Sequence, residues 1–143
     1  MDNRLQLFDL IGLLGRKRRF MGERCFASLG LNPTEARLLT LLTEQGGEAT
    51  QDALSGMLYL DRSNAGRALK SLEAGGYVSR QKGTSDGRTN AVQMTAKGKK
   101  TAKQIEALRL ELAERFLADI TDDEAATIAR LLGKAADKGG NRV

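Results

Sequence analysis

Residues 61–78 have the sequence DRSNAGRALKSLEAGGYV, which predicts an amphipathic helix. Its apolar residues gather on one side of a helical wheel, because Ala65, Leu69 and Leu72 recur at a spacing of three and four. The opposite side is basic, can form hydrogen bonds and carries no carboxylate before Glu73. The candidate contact residues on that side are Arg62, Ser63, Asn64, Arg67 and Lys70. A pair of glycines then ends the predicted helix.

A shorter helix precedes this one and begins after Thr50, a suitable N-cap. Its apolar residues recur at the same spacing and are expected to face inward: Ala53, Leu54, Met57 and Leu58. Two short helices joined by a tight turn at Tyr59 form a helix-turn-helix candidate. Further upstream, Asn32 and Glu35 flank a proline in a pattern typical of a capped helix start.

The pattern changes to a two-residue period after the helix pair. Residues 77–82 and 90–95 predict two β-strands, and the seven residues between them are rich in turn formers. A hairpin directly after a helix-turn-helix indicates a winged helix. We therefore predict a mainly α fold: a winged helix-turn-helix with a small β-hairpin wing and an all-helical dimerisation region.

Leucine-rich helices flank the predicted lobe. The first runs from Leu5 to about Ser28, and Thr95 and Thr121 can cap two helices near the end of the chain. Their apolar stripes are too wide for one small monomer to cover, so we expect a homodimer. We assign residues 1–30 and 101–143 to the dimerisation region and residues 31–100 to the winged lobe.

The composition narrows the class of protein. A chain of 143 residues with 41% hydrophobic and 29% charged residues has the size and balance of one compact domain. One cysteine excludes an internal disulfide, and the lack of histidine excludes the usual zinc sites and histidine-based catalytic pairs. The apolar stretch Leu5–Leu14 is too short to span a bilayer. We expect no metal, no cofactor, no enzymatic activity, no membrane contact and a cytoplasmic location.

The positive charge is concentrated in one part of the chain. The net charge is +5, and residues 50–100 hold nine Lys or Arg against four Asp or Glu, while both flanking segments are close to neutral. This distribution is typical of a nucleic-acid contact surface. A helix fits the major groove of DNA, where Asn64, Arg67 and Lys70 can contact base edges, and Ser63 suits a phosphate. The alternative is a winged-helix module for protein–protein contact that does not recognise DNA sequence.

Several motifs together are similar to those of a known family: NPTE at 32–35, LDRS at 60–63, EAGGYV at 73–78, DGR at 86–88 and TAKG at 95–98. The chain resembles the MarR family of bacterial transcriptional regulators over nearly its whole length. The resemblance implies an obligate homodimer on a palindromic promoter operator in double-stranded DNA. It also implies that the protein is a repressor and that a small aromatic effector or an oxidant releases it from DNA.

The resemblance also implies roles for individual residues. Arg62 and Ser63 lie at the start of the recognition helix, and Arg67 corresponds to its base-facing arginine. In the wing, Arg88 corresponds to the minor-groove arginine and Asp86 to the acid that braces it. We add Lys82, at the base of the wing, as a DNA-contacting residue.

Two positions depart from the family pattern, and a third is a candidate redox residue. The family often has glycine at Tyr59; we expect this side chain to pack against its neighbours, with a phosphate contact as the alternative. A small hydroxyl residue is usual at Gly66, so the operator sequence cannot be transferred from the family. Some members sense oxidants through a cysteine near the end of the first helix, which makes Cys25 a candidate redox residue. Our interpretation is a buried structural thiol between Phe20 and Phe26.

Overall fold

The computed structural model of the chain describes residues 2–59, 62–82 and 90–136. It divides into two compact units, residues 1–112 and 113–143. The elements in chain order are α1 (Asn3–Phe26), a 3-10 turn (Ala27–Leu29), α2 (Pro33–Glu44), β1 (Glu48–Thr50), α3 (Gln51–Leu58), α4 (Arg62–Ala74), β2 (Val78–Lys82), β3 (Asn90–Met94), α5 (Ala96–Phe116) and α6 (Asp122–Ala136). The predicted mainly α fold with a small sheet is confirmed.

Side-chain caps set the starts of the helices, as the sequence predicts. The Asn32 side chain accepts a hydrogen bond from the Glu35 backbone N–H at 2.8 Å, and the Glu35 carboxylate accepts one from the Asn32 N–H at 2.9 Å. Thr50 accepts from the N–H of Ala53 at 3.1 Å, and Thr95 accepts from the N–H of Gly98 at 3.0 Å. Each cap satisfies backbone donors that lack a partner within the helix.

The sheet has one more strand than the sequence predicts. Its order is β1-β3-β2, with both neighbouring pairs antiparallel. β1 contains only Glu48–Thr50, which is too short to show a two-residue period, so the pattern gave no signal for it. The strand places β3 at the centre of the sheet, where Val92 is fully buried.

The core of the first unit is formed mainly by leucines from α2, α3 and α4. The side chains with no exposed surface include Leu38, Leu39, Leu42, Leu54, Leu69 and Leu72. The prediction for α3 is partly wrong, since Ala53 is exposed and Met57 is 38% exposed. Leu54 and Leu58 form one stripe along this eight-residue helix, and Ala53 and Met57 lie on a second stripe rotated by about 100°. Only the first stripe contacts the core.

The apolar stripe of α1 is largely uncovered in the single chain. This helix buries only Gly22 and Phe26, at its C-terminal end. Along the rest of its length, Phe8 is 74% exposed and Ile11 is 46% exposed. Uncovered apolar surface of this extent is typical of an interface.

α6 begins with the predicted capping box and also has an exposed apolar stripe. Thr121 accepts from the N–H of Glu124 at 3.2 Å, and the Glu124 carboxylate accepts from the N–H of Thr121 at 2.9 Å. These hydrogen bonds from Thr121 hold the pKa of Glu124 below its ordinary value, so this cap weakens as the pH falls towards that pKa. On the same helix Ile128 is 42% exposed and Leu131 is 46% exposed.

Polar side-chain contacts join α4 and the base of the hairpin to neighbouring elements. The Ser71 hydroxyl donates to the second oxygen of the buried Glu35 carboxylate at 2.6 Å, which joins α4 to the start of α2. At the base of the hairpin, the Arg80 guanidinium on β2 lies 3.2 Å from the Glu73 carboxylate on α4. Arg80 also donates to the Gln51 side chain of α3 at 3.4 Å, and so does Asn90 of β3 at 3.5 Å. The contacts of Gln51 with Arg80 and Asn90 could not be predicted from the sequence, because residues 29 and 39 positions apart give no local pattern.

α5 approaches the backbone before β2 closely enough to require glycine. A β-carbon at Gly98 would overlap the carbonyl oxygen of Tyr77. At Gly56 in α3, by contrast, no described atom beyond the chain neighbours and the local helix backbone lies within 4 Å of the position that a β-carbon would take. A methyl group would therefore clash with the backbone at Gly98 but not at Gly56.

We predict that Gly98→Ala lowers the free energy of unfolding by about 2 kcal/mol, because the backbone must move to admit the methyl group. Gly56→Ala is the control and should raise the free energy of unfolding by up to about 1 kcal/mol, through helix propensity. Urea unfolding followed by circular dichroism measures both. Equal stability of the two variants would contradict the close approach of α5.

We also predict that Arg80→Met lowers the free energy of unfolding by about 1 kcal/mol, because it removes a contact that joins three elements while keeping the aliphatic stem. The matched control is Arg19→Met. Arg19 lies 3.6 Å from Glu23 within α1, and the two side chains are 59% and 55% exposed. Loss of that local pair should cost less than about 0.5 kcal/mol. Equal losses in the two variants would show that the Arg80 contact has no special role.

Candidate nucleic-acid interface

The outward face of α4 presents four of the five residues that the sequence predicts for DNA contact. Their side chains are exposed: Ser63, Asn64, Arg67 and Lys70. On the inward face, Ala65, Leu69 and Leu72 are fully buried. The backbone of Arg62 belongs to the first turn of α4, and its side chain lies outside the described part of the structure. The predicted division of this helix into two faces is confirmed.

Two side chains on this face contact each other. The Arg67 guanidinium donates a hydrogen bond to the side-chain oxygen of Asn64, one turn earlier in α4. Side chains three residues apart are neighbours on a helix surface, which makes this pairing possible. The pair combines the two functional groups best suited to contact guanine and adenine edges in the major groove.

Glycine at position 66 brings the side chain of Gln51 close to α4. A β-carbon at Gly66 would lie 3.2 Å from the Gln51 side-chain nitrogen. The same Gln51 accepts hydrogen bonds from Arg80 and Asn90, at the base of the hairpin. The lack of a side chain at Gly66 therefore leaves room for Gln51, which connects the helix pair with the strands. Sequence reasoning assigned no role to Gln51, Arg80 or Asn90.

The wing is described only at its base. β2 and β3 pair in antiparallel register from Val78↔Met94 to Lys82↔Asn90. Asp86 and Arg88 lie outside the described residues, and so does the side chain of Lys82. The predicted hairpin is confirmed over its strands, and the roles of these three residues stay predictions.

The turn between α3 and α4 contains a residue whose expected packing is wrong. Tyr59 has left-handed backbone angles, φ 55° and ψ 34°, and its N–H donates to the carbonyls of Ser55 and Gly56. Its side chain is 78% exposed. The left-handed conformation ends α3, and glycine would adopt it with less strain than tyrosine does. It also directs the ring away from the core, which is why the ring does not pack there.

Cys25 is more accessible than we expected. Its side chain is partly buried near the end of α1, and Phe20 is 61% exposed. The buried side of the helix at this point is formed by Gly22 and Phe26, which are four residues apart. Cys25 lies beside that stripe and not on it, so the thiol is not enclosed between the two phenylalanines.

A second group of positive charges joins three helices of the first unit. Partial burial, and then the neighbouring charges of Arg37 and Arg109, lower the pKa of Arg18 below its usual value. Arg18, Arg37 and Arg109 belong to α1, α2 and α5 respectively. Positive potential in this unit is therefore not confined to α4.

No cluster of three or more His, Cys, Asp or Glu side chains that could hold a metal ion occurs in the described part of the chain. Within residues 2–59, 62–82 and 90–136, no helix combines the length and apolar character needed to cross a membrane.

Known proteins share both the sequence and the fold of this chain. The model of the MarR family matches residues 31–89. An uncharacterised HTH-type transcriptional regulator of Bacillus subtilis, YdgJ, is 32% identical over 126 residues, which cover 88% of this chain and 71% of YdgJ. A second regulator from the same organism, YybA, is 28% identical over 85% of this chain and 81% of its own length.

Solved structures show the same winged-helix fold. A MarR transcriptional regulator from Methanosarcina mazei superimposes with a TM-score of 0.87, at 24% identity over 96% of this chain and 98% of its own. A mutant MarR from E. coli, complexed with operator DNA, has a TM-score of 0.81 at 23% identity, over 96% of this chain and 100% of its own. The family match, the identity to YdgJ and the shared fold lead to one conclusion. The chain belongs to the MarR family of transcriptional regulators and is not an enzyme.

Proposed function

We propose that this chain is a repressor and binds a palindromic promoter operator as a homodimer. In this proposal, a small aromatic effector or an oxidant releases the repressor from DNA. The outward face of α4 is the observation that carries the proposal. Four exposed side chains able to contact DNA lie opposite three fully buried ones. The solved MarR structure complexed with operator DNA, which has the same fold, supports DNA as the ligand.

The chemistry of α4 suits the major groove. Arg67 can donate two hydrogen bonds to a guanine edge, and Asn64 can pair with an adenine edge. Ser63, in the first turn, suits a phosphate oxygen, and Lys70 and Arg62 add positive charge along the backbone. In this arrangement Arg67 gives up its contact with Asn64 when each side chain takes a base edge.

The wing is assigned to the minor groove. Seven residues, 83–89, connect the two paired strands, and they contain Asp86 and Arg88. Arg88 would enter the groove, Asp86 would brace the loop through a charge-assisted hydrogen bond, and Lys82 would contact a phosphate. The minor groove distinguishes bases poorly, so this part contributes affinity more than sequence preference.

The exposed apolar stripes support the homodimer. In α1, Phe8 is 74% exposed, and in α6, Leu131 is 46% exposed. We assign both stripes to the dimerisation region, residues 1–30 and 101–143. Two copies related by a twofold axis impose a palindrome on the operator, with half-site centres about 10 base pairs apart.

The release of DNA has two candidate triggers. The proposal that a small aromatic effector releases DNA rests on the resemblance of the chain to the MarR family. For an oxidant, Cys25 is the group that would react, because it is the only cysteine of the chain and is partly accessible.

We predict that the protein is a dimer in solution, because the stripes on α1 and α6 need a partner. Light scattering at micromolar concentration should give twice the chain mass of 15.5 kDa. Phe8→Asp should shift the mass towards one chain, since it places a charge in the interface, and Gln6→Asp on the same helix serves as control. A wild-type mass of one chain would contradict the dimer and the palindrome with it.

We also predict that substitutions in α4 and in the wing affect DNA binding in different ways. Selection from random double-stranded DNA should yield one palindrome. At that site, Arg67→Ala should cost about 1–3 kcal/mol of binding free energy and relax the preference at one position in each half-site. Arg88→Ala should weaken binding to all sequences and lower the salt slope by about one for each subunit, or about two for the dimer.

Lys103→Ala removes one positive charge from an exposed position of α5 and is the control for both variants. It should change the affinity little, because the charge lies outside the proposed interface. Selection of no preferred sequence, with weak binding to all DNA, would instead favour the protein–protein module. If Arg88→Ala altered the preferred sequence and Arg67→Ala did not, the roles of helix and wing would be reversed.

A further inference from the structure

The turn before α4 holds Tyr59 in an unfavourable backbone conformation. Among the residues that the structure describes, Tyr59 is the only non-glycine residue with positive φ. In this region the β-carbon lies close to the following carbonyl oxygen, which destabilises every L-residue relative to glycine. Glycine at position 59 would form the same turn without that strain. The folded state by itself therefore favours a different residue.

The side chain does not compensate for the strain by packing. At 78% exposure, the Tyr59 ring is the most exposed of the large apolar side chains in the described part of the chain. An exposed aromatic ring contributes little hydrophobic stabilisation. Neither the backbone conformation nor packing against the core explains a tyrosine at this position. A contact between the ring and another molecule would explain it.

The location of Tyr59 identifies that contact. It is the last residue of the turn to be described before α4, whose exposed face presents Ser63 and Arg67. When the second helix of a helix-turn-helix lies in the major groove, the first helix crosses the DNA backbone. The C-terminal end of α3 and the exposed ring then lie beside the phosphates.

We propose that Tyr59 is a backbone contact of the operator, its hydroxyl donating a hydrogen bond to a DNA phosphate oxygen. The inference rests on the DNA-binding function proposed above and adds a contact outside α4 and the wing. A phenol is a hydrogen-bond donor that serves this purpose in protein–DNA complexes. Because phosphates are the same at every base pair, this contact adds affinity and register but no sequence preference.

The test compares Tyr59→Phe, Tyr59→Gly and Tyr77→Phe, the last being the matched control at the only other tyrosine. Fluorescence anisotropy with the selected operator, and with a version in which one half-site is scrambled, measures affinity. Tyr59→Phe should weaken binding to both DNAs by the same factor, about fivefold for each hydrogen bond and so about 25-fold for a dimer that loses two. The salt slope should stay unchanged, because a neutral donor releases no counterion. Tyr77→Phe should bind as the wild type does.

Tyr59→Gly separates stability from binding. Its melting temperature should rise by roughly 3 °C, because the strain is relieved. Its affinity for the operator should nevertheless fall at least as far as that of Tyr59→Phe. A gain in both quantities, or wild-type affinity in Tyr59→Phe, would overturn the proposal. So would a change in the mass of the dimer in either variant, since the ring would then contact a second copy. Failure of the wild type to bind any selected DNA would contradict the proposed function itself.

Discussion

Burial of one side of α4 fixes the rotation of this helix about its axis. Ala65, Leu69 and Leu72 are fully buried, and each buried leucine stabilises the folded state by about 1.5–3 kcal/mol. A rotation by one residue, about 100°, would bring these leucines to the surface and turn the basic face towards the core. That cost fixes the outward direction of Arg67 and Lys70. The apolar half of the helix thus determines which polar side chains are available for DNA.

Polar contacts set the position of α4 along and across this packed surface. Ser71 binds the buried carboxylate of Glu35, and Glu73 pairs with Arg80 at the base of the hairpin. The hydrophobic effect is not directional, whereas these hydrogen bonds require one arrangement of their atoms. We infer that they hold the helix and the wing at the spacing that the two grooves of DNA require.

Local patterns predicted the parts of the structure that depend on local chemistry. The capping residues Asn32, Thr50, Thr95 and Thr121 and the two faces of α4 could be recognised from the sequence, because spacing and side-chain type determine them. The strand Glu48–Thr50 could not, since three residues show no period and the partner strand lies more than 40 positions away. The exposure of Tyr59 and Cys25 was also missed. Both depend on backbone direction and on which of two adjacent helix stripes meets the core.

We propose that the outward face of α4 lies in the major groove. A chelated iron that generates hydroxyl radicals, attached to a thiol at Ser63→Cys in a Cys25→Ser background, maps the position of this face on DNA. Bound to the selected operator, this protein should cleave DNA at two places about one helical turn apart, one in each half-site. The same reagent at Glu44→Cys, an exposed position on α2, should cleave elsewhere or not at all. Identical cleavage from both positions, or none from Ser63→Cys on bound DNA, would contradict the account.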